Sequence, residues 1–199
     1  MSTTTTPIEI DRQLMPALRF KEFDGDITET LFGNHFTFHT TNSLSRDKLN
    51  YDNGDVRNIH YGDIHTKFQT HFRLTNEYVP FINKTVDLTK IREDSYCKVG
   101  DLVIADASED YEDIGKSIEL IDINNEKLLA GLHTFLARPS SKRTALGYIS
   151  CLLKSWKLRK QIMTIAQGTK VLSLSTGRVS KLKINLPTLP EQQKIASFL

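Results

Sequence analysis

The side chains best suited to contact a polyanion lie in one stretch, Gln167-Gly168-Thr169-Lys170-Val171-Leu172-Ser173-Leu174-Ser175-Thr176-Gly177-Arg178. Two glycines frame it. Gln167, Thr169, Lys170, Ser173, Ser175, Thr176 and Arg178 carry the amide, hydroxyl and cationic groups that bond phosphates and base edges. Lys181, Lys116 and His133 add donors of the same kind elsewhere in the chain. An ordinary mobile surface loop has a similar composition, so the stretch has to be weighed against the rest of the sequence.

Other chemistry finds less support. Gly115-Lys116-Ser117 resembles the end of a phosphate-binding loop, which also needs a glycine five positions earlier. That position is Asp110, inside the acidic run Glu109-Asp110-Tyr111-Glu112-Asp113, so the sequence predicts no nucleotide site there. His35 and His39 flank an alternating Phe36-Thr37-Phe38; four apart on a strand they share a face but stand about 13 Å apart, too far for one metal ion. Cys97 and Cys151 are isolated in sequence, with neither disulfide nor zinc spacing. No serine nucleophile elbow occurs, and Asn185-Leu186-Pro187 lacks the second proline and the aromatic of a methyl-transfer loop. The expectation is a chain with no catalytic residues, no metal and no cofactor.

Charge strengthens the polyanion reading. The net charge of +2 conceals two opposite parts: residues 140–199 hold 11 Lys and Arg against the single acid Glu191, whereas residues 1–139 hold 15 basic and 23 acidic residues. Such asymmetry points to a surface that faces nucleic acid, although a basic face can also solvate a helix or meet an acidic protein. With 39% hydrophobic residues the chain can bury a core, and it contains no apolar run long enough to span a bilayer. The expected setting is the cytoplasm, away from any membrane.

The elements that would position these groups can be read from periodicity. Residues 1–17 read as a flexible tail, with an aromatic arm around Phe20 and Phe23 and a turn at Asp24-Gly25-Asp26. Gly33-Asn34, Gly62-Asp63 and Gly100-Asp101 read as turns beside strands at Phe36–Phe38, Val56–Tyr61 and Leu102–Ala105. Further strands are expected at Ser117–Ile123 and Leu128–Ala137. Thr144 to Ala166 reads as one helix, with Leu146, Ile149, Leu153, Trp156 and Ile162 on its apolar stripe and Lys154, Lys157, Arg159 and Lys160 in its second half. Leu182, Ile184 and Leu186 alternate as a strand. Thr188-Leu189-Pro190-Glu191 matches a capping box that opens a last helix, whose apolar residues Ile195, Ala196 and Leu199 have little length over which to find a partner.

The segment Asn185-Leu186-Pro187-Thr188-Leu189-Pro190-Glu191-Gln192-Gln193-Lys194-Ile195-Ala196 resembles the junction in type I restriction–modification specificity subunits where a recognition domain runs into a long helix. Leu18–Gly25 resembles the opening of these subunits. Tyr61-Gly62-Asp63-Ile64 and Val99–Ile104 resemble their internal Gly-Asp strands, and Gly115-Lys116 a recurrent Ile-Gly-Lys. Ile27 stands where a tryptophan is usual, and only one of the two usual recognition domains is present.

The resemblance implies an α+β fold with a twisted mixed sheet and long loops, one long helix before a basic loop, and the start of a C-terminal spacer helix. It implies a division into tail (1–17), target-recognition domain (18–187) and spacer-helix start (188–199). It also implies recognition of one half of a bipartite target in double-stranded DNA. Adenine methylation and cleavage would be done by partner modification and restriction subunits, and a homodimer could form through the C-terminal helix. Two alternatives stay open from the sequence: the recognition part of a fused methyltransferase–nuclease, and a basic protein-interaction module.

Overall fold

The apolar run Leu102–Ala105 is a strand buried on both faces, and the fold is arranged around it. The structure is a computed structural model and describes residues 19–198, so the proposed tail over 1–17 and Leu199 lie outside the described residues. In chain order the first half contains β1 (Thr28–Leu31), β2 (Phe36–His39), β3 (Leu49–Asn50), β4 (Arg57–Ile59), α1 (Tyr61–Thr66), β5 (His71–Arg73) and β6 (Phe81–Ile82). Then come β7 (Leu102–Ala105), β8 (Ala107–Ser108), β9 (Ser117–Asp122), β10 (Leu128–Ala130) and β11 (Thr134–Pro139). The last third holds α2 (Tyr148–Lys154), α3 (Trp156–Ile165), β12 (Leu172–Ser173), α4 (Thr176–Val179), β13 (Lys183–Leu186) and α5 (Leu189–Phe198).

The result is an α+β fold with mixed sheets. A five-stranded sheet runs β2-β11-β7-β9-β5, antiparallel except for the parallel β9–β5 edge. A smaller sheet runs β10-β4-β6-β3, and the pairs β1–β13 and β8–β12 are antiparallel. Side chains alternate along β7. Leu102 and Ile104 therefore enter one core with Ile149, Leu153, Leu158 and Ile162 from α2 and α3. Val103 and Ala105 enter a second core with Ile64 of α1, Phe72 and Ile118.

Both Gly-Asp motifs place an aspartate inside the protein. Asp101 is fully buried and receives the Arg138 guanidinium at 2.9 and 2.7 Å, while Arg138 also donates to the carbonyls of Asp94 and Tyr96. Asp63 is 1% exposed and lies 3.0 Å from Arg46 and 2.9 Å from Lys67. Gly62-Asp63 is not a turn after a strand, however. It lies in the first turn of α1, whose N-terminus is capped by the His60 side chain accepting from the Gly62 amide.

Three other expectations need correction. The helical stretch before the basic loop is two helices, because Ser155 is extended (ψ 145°) and its side chain caps α3 by accepting from the Leu158 amide. The break turns Trp156 out of the stripe to 64% exposure, and Leu146 precedes α2 and is 48% exposed. The strand expected over 128–137 is split into β10 and β11 by a turn in which His133 has φ +55°. The capping box is not formed either, since both Glu191 oxygens accept from Arg19. Ile195 and Ala196 are not left bare but pack on the first core.

Candidate nucleic-acid interface

The polar stretch 167–178 is held near its middle by apolar anchors. Leu172 and Leu174 are buried, while Thr169, Lys170 and Val171 stand out at the tip. Gln167 and Ser173 exchange two backbone hydrogen bonds of 3.0 and 2.7 Å, which close the tip, and Gly168 takes the φ of +129° that the closure requires. Strand β12 pairs with β8, and the Leu174 amide donates to the Asp106 carbonyl at 2.8 Å. Ser175 is extended and leads into the single turn of α4, which carries Thr176 and Arg178. Arg178 Nη1 donates to the Ile165 carbonyl at 2.9 Å, which ties α4 to the end of α3.

The basic residues of this end divide into two groups. Lys157 and Lys183 face Glu29 at 3.8 and 3.1 Å, and Lys194 pairs with Glu22. Arg159 directs its guanidinium to the carbonyls of Tyr111, Glu112 and Ile114, and burial holds its pKa below the usual arginine value. Lys160, Lys170, Arg178 and Lys181 have no carboxylate partner among the described residues. Three of them line one shallow groove between α3 and α4, together with Gln161, Thr164, Ile165 and Leu182. Lys160 Nζ also lies 4.9 Å from the centre of the exposed Trp156 ring. A groove lined by three cations and no acid has an unbalanced positive field, the condition for attracting phosphates.

Lys116 and His133 lie at the other side of the loop. Lys116 Nζ donates to the His65 carbonyl at 2.6 Å and lies 3.4 Å from Asp113, so its charge is partly committed inside the protein. His133 is half exposed, with Nδ1 3.3 Å from Asp106 and its ring edge-on to Tyr61 at 5.3 Å. All of these converge on residues 105–107, where β7 runs into β8. The Asp106 amide donates to the His133 carbonyl, the Gly115 amide to the Ala105 carbonyl, and His65 Nε2 lies 3.1 Å from the Ala107 carbonyl. The loop, His133 and Lys116 are thus neighbours, although 62 positions separate Lys116 from Arg178 in the sequence.

Tyr61, His65 and Asp106 also belong to this neighbourhood, and the sequence alone does not place them in the site. The signal was present for two of them: once Tyr61–Thr66 is a helix, Tyr61 and His65 are one turn apart on one face. His35, by contrast, is buried between Ser141 and Thr30, and burial lowers its pKa. Among the described residues no group of three or more His, Cys, Asp or Glu is placed to hold a metal ion.

A mixed-sheet domain that pins a polar loop beside a cationic groove is suited to grip a polyanion. The chain belongs to the type I restriction modification DNA specificity domain family, whose model matches residues 36–199. It is 29% identical over 125 residues to a protein named as the specificity subunit of the type I restriction enzyme MjaX of Methanocaldococcus jannaschii, a match covering 57% of this chain and 29% of that protein. Its fold is similar to the S subunit of a type I restriction–modification system from M. genitalium (TM-score 0.56, 11% identity, 93% of this chain and 40% of that one). It is also similar to the HsdS subunit of Thermoanaerobacter tengcongensis (TM-score 0.57, 12% identity, 92% and 38%). The chain therefore spans less than half the length of these relatives.

Proposed function

We propose that this chain is a target-recognition domain that binds double-stranded DNA and reads one half of a bipartite sequence, without catalytic residues or a cofactor of its own. Adenine methylation and cleavage then fall to modification and restriction subunits that the domain directs, in the cytoplasm. The observation that carries this reading is the Lys160–Arg178–Lys181 groove, which no carboxylate lines, adjoining the pinned loop 167–178. Phosphates seated in the groove position the duplex, and the loop presents Gln167, Thr169, Lys170, Ser173, Ser175 and Thr176 to it. Residues 18–187 form the reading domain, and α5 opens the spacer helix at 188–199. Continued beyond Phe198, that helix would offer the surface for a second copy.

The test is selection of bound sequences from a random duplex pool, with affinity measured across a salt series. The expected result is an enriched short motif and an affinity that falls linearly on a log–log plot, by about 0.9 per phosphate contact. Binding that is insensitive to salt, or methyl transfer by the purified chain alone, would sink the proposal.

A further inference from the structure

A second cluster adjoins the loop, and its chemistry differs from that of the groove. His133 stands at the turn between β10 and β11 with φ +55°, a conformation uncommon for residues other than glycine. The turn is locked by Thr134 Oγ1 donating to the Gly131 carbonyl at 2.5 Å. Asp106 lies 3.3 Å from His133 Nδ1. That leaves Nε2, which has no hydrogen-bond partner among the described residues, on a half-exposed ring. Tyr61 packs its ring between His60 at 4.8 Å and His133 at 5.3 Å.

We propose that His133, supported by Tyr61 and oriented by Asp106, reads a base edge, while the Lys160–Arg178–Lys181 groove holds phosphates. This deepens the DNA-recognition reading and rests on it. A phosphate seat needs surplus positive charge, whereas here a carboxylate sits at the centre of the cluster and would repel phosphate. A neutral imidazole offers Nε2 as an acceptor to the exocyclic amines of adenine or cytosine, and a protonated one offers a donor to guanine N7 or O6. The geometry is also fixed relative to the loop. Asp106 donates its amide to the His133 carbonyl at 3.0 Å and accepts the Leu174 amide at 2.8 Å. One residue thereby joins the His133 turn to the loop through two backbone bonds, the rigidity that base reading requires. Asp106 is a positioning residue, since it acts through His133.

The experiment repeats the random-pool selection and the salt series with His133→Asn, Asp106→Asn and, for comparison, Lys160→Ala/Arg178→Ala. Asparagine tolerates positive φ, so His133→Asn keeps the turn. The expected result is a preference at one base position lost or altered about ten-fold or more in His133→Asn and reduced at the same position in Asp106→Asn. The salt slope and melting temperature should stay as in the unsubstituted chain, whereas Lys160→Ala/Arg178→Ala should flatten the slope and keep the motif. An unchanged motif in His133→Asn overturns the proposal, as does a flattened slope, which would make His133 a phosphate contact. If the unsubstituted chain selects no motif, the DNA-recognition reading itself fails.

Discussion

Arg19 and Glu191, 172 positions apart, form a two-pronged ion pair: Arg19 Nε lies 2.7 Å from Oε1 and Nη2 lies 2.6 Å from Oε2. Glu191 is 2% exposed, so the pair seals the start of α5 onto the segment that precedes β1. Gln192, also buried, donates to the Arg143 and Pro187 carbonyls and accepts from the Ala145 amide. Removing one partner of such a pair leaves an uncompensated buried charge and costs about 3–5 kcal/mol. Arg19→Ala should therefore destabilise the domain by an amount in this range in urea unfolding, and Glu191→Gln by less. A loss below about 0.5 kcal/mol in Arg19→Ala would show that α5 is not tied to the domain through this pair.

The two groups of basic residues should separate in binding. Lys160→Ala/Arg178→Ala/Lys181→Ala removes cations that face no carboxylate, and each lost phosphate contact should flatten the log–log salt dependence by about 0.9. Lys157→Ala/Lys183→Ala removes cations already facing Glu29 and should change the slope far less. Equal effects from both sets would mean that net charge, and not the groove, governs binding.

Acid should unfold the domain partly through Asp63. Burial alone would raise the pKa of its carboxyl, but hydrogen bonds from Arg46 and Lys67 outweigh this and hold it below the ordinary aspartate range. A depressed folded pKa means that the stabilisation is fully present above the unfolded value and is lost as pH falls through the folded one. Asp63→Asn should lower stability at neutral pH by about 1–3 kcal/mol, the worth of hydrogen bonds to charged groups. It should also flatten the acid side of the stability profile. Parallel acid limbs for the two proteins would remove Asp63 from the acid response.

What could be read from sequence was what short-range pattern decides. The alternation of Leu182, Ile184 and Leu186 specifies β13, and the unbroken apolar run at Leu102–Ala105 specifies a strand covered on both sides. The break at Ser155 has no local sequence signal because Leu153 and Trp156 preserve helical spacing across it; only the extended backbone at that residue shows that the second helix starts afresh. The Thr188–Glu191 pattern was locally sufficient for a capping box, but a long-range partner, Arg19, took the carboxylate. The convergence of Lys116, His133 and the 167–178 loop on residues 105–107 depends on sheet order, which no local pattern encodes. Asp106 follows β7 with no distinguishing neighbour, and its link to His133 appears only once β7 and β11 are paired.

Gly115 shows how the loop depends on what lies beneath it. It has φ +69°, and a Cβ there would stand 2.7 Å from Ile162 Cγ2 and 3.0 Å from Leu174 Cδ1. Left-handed backbone costs an alanine about 1–2 kcal/mol, and crowding in a packed core adds about 1–3 kcal/mol. Gly115→Ala should lower the melting temperature by several degrees, since 1 kcal/mol corresponds to roughly 2–4 °C at this size. Displacing Leu174 should weaken DNA binding as well. A melting temperature equal to that of the unsubstituted chain would show that α3 and Leu174 yield easily.

Gly177 poses the opposite case. It lies in α4, its φ is outside the left-handed region, and a Cβ there would meet nothing within 4 Å. Neither backbone strain nor packing within the domain calls for glycine at this position. Alanine in a helical turn is favoured over glycine by about 0.5–1 kcal/mol, so Gly177→Ala should slightly raise the melting temperature. Gly177 directly precedes Arg178, which lines the cationic groove, so a phosphate seated beside Arg178 would approach this open backbone. A methyl group there would push a phosphate away from the backbone and from Arg178. Gly177→Ala should therefore be more stable yet bind duplex DNA more weakly, by about three-fold or more for a lost hydrogen bond. If thermal melts show the stabilisation and titrations show unchanged affinity, the duplex does not pass over α4, and the phosphate track must run instead along the Lys160 side of the groove.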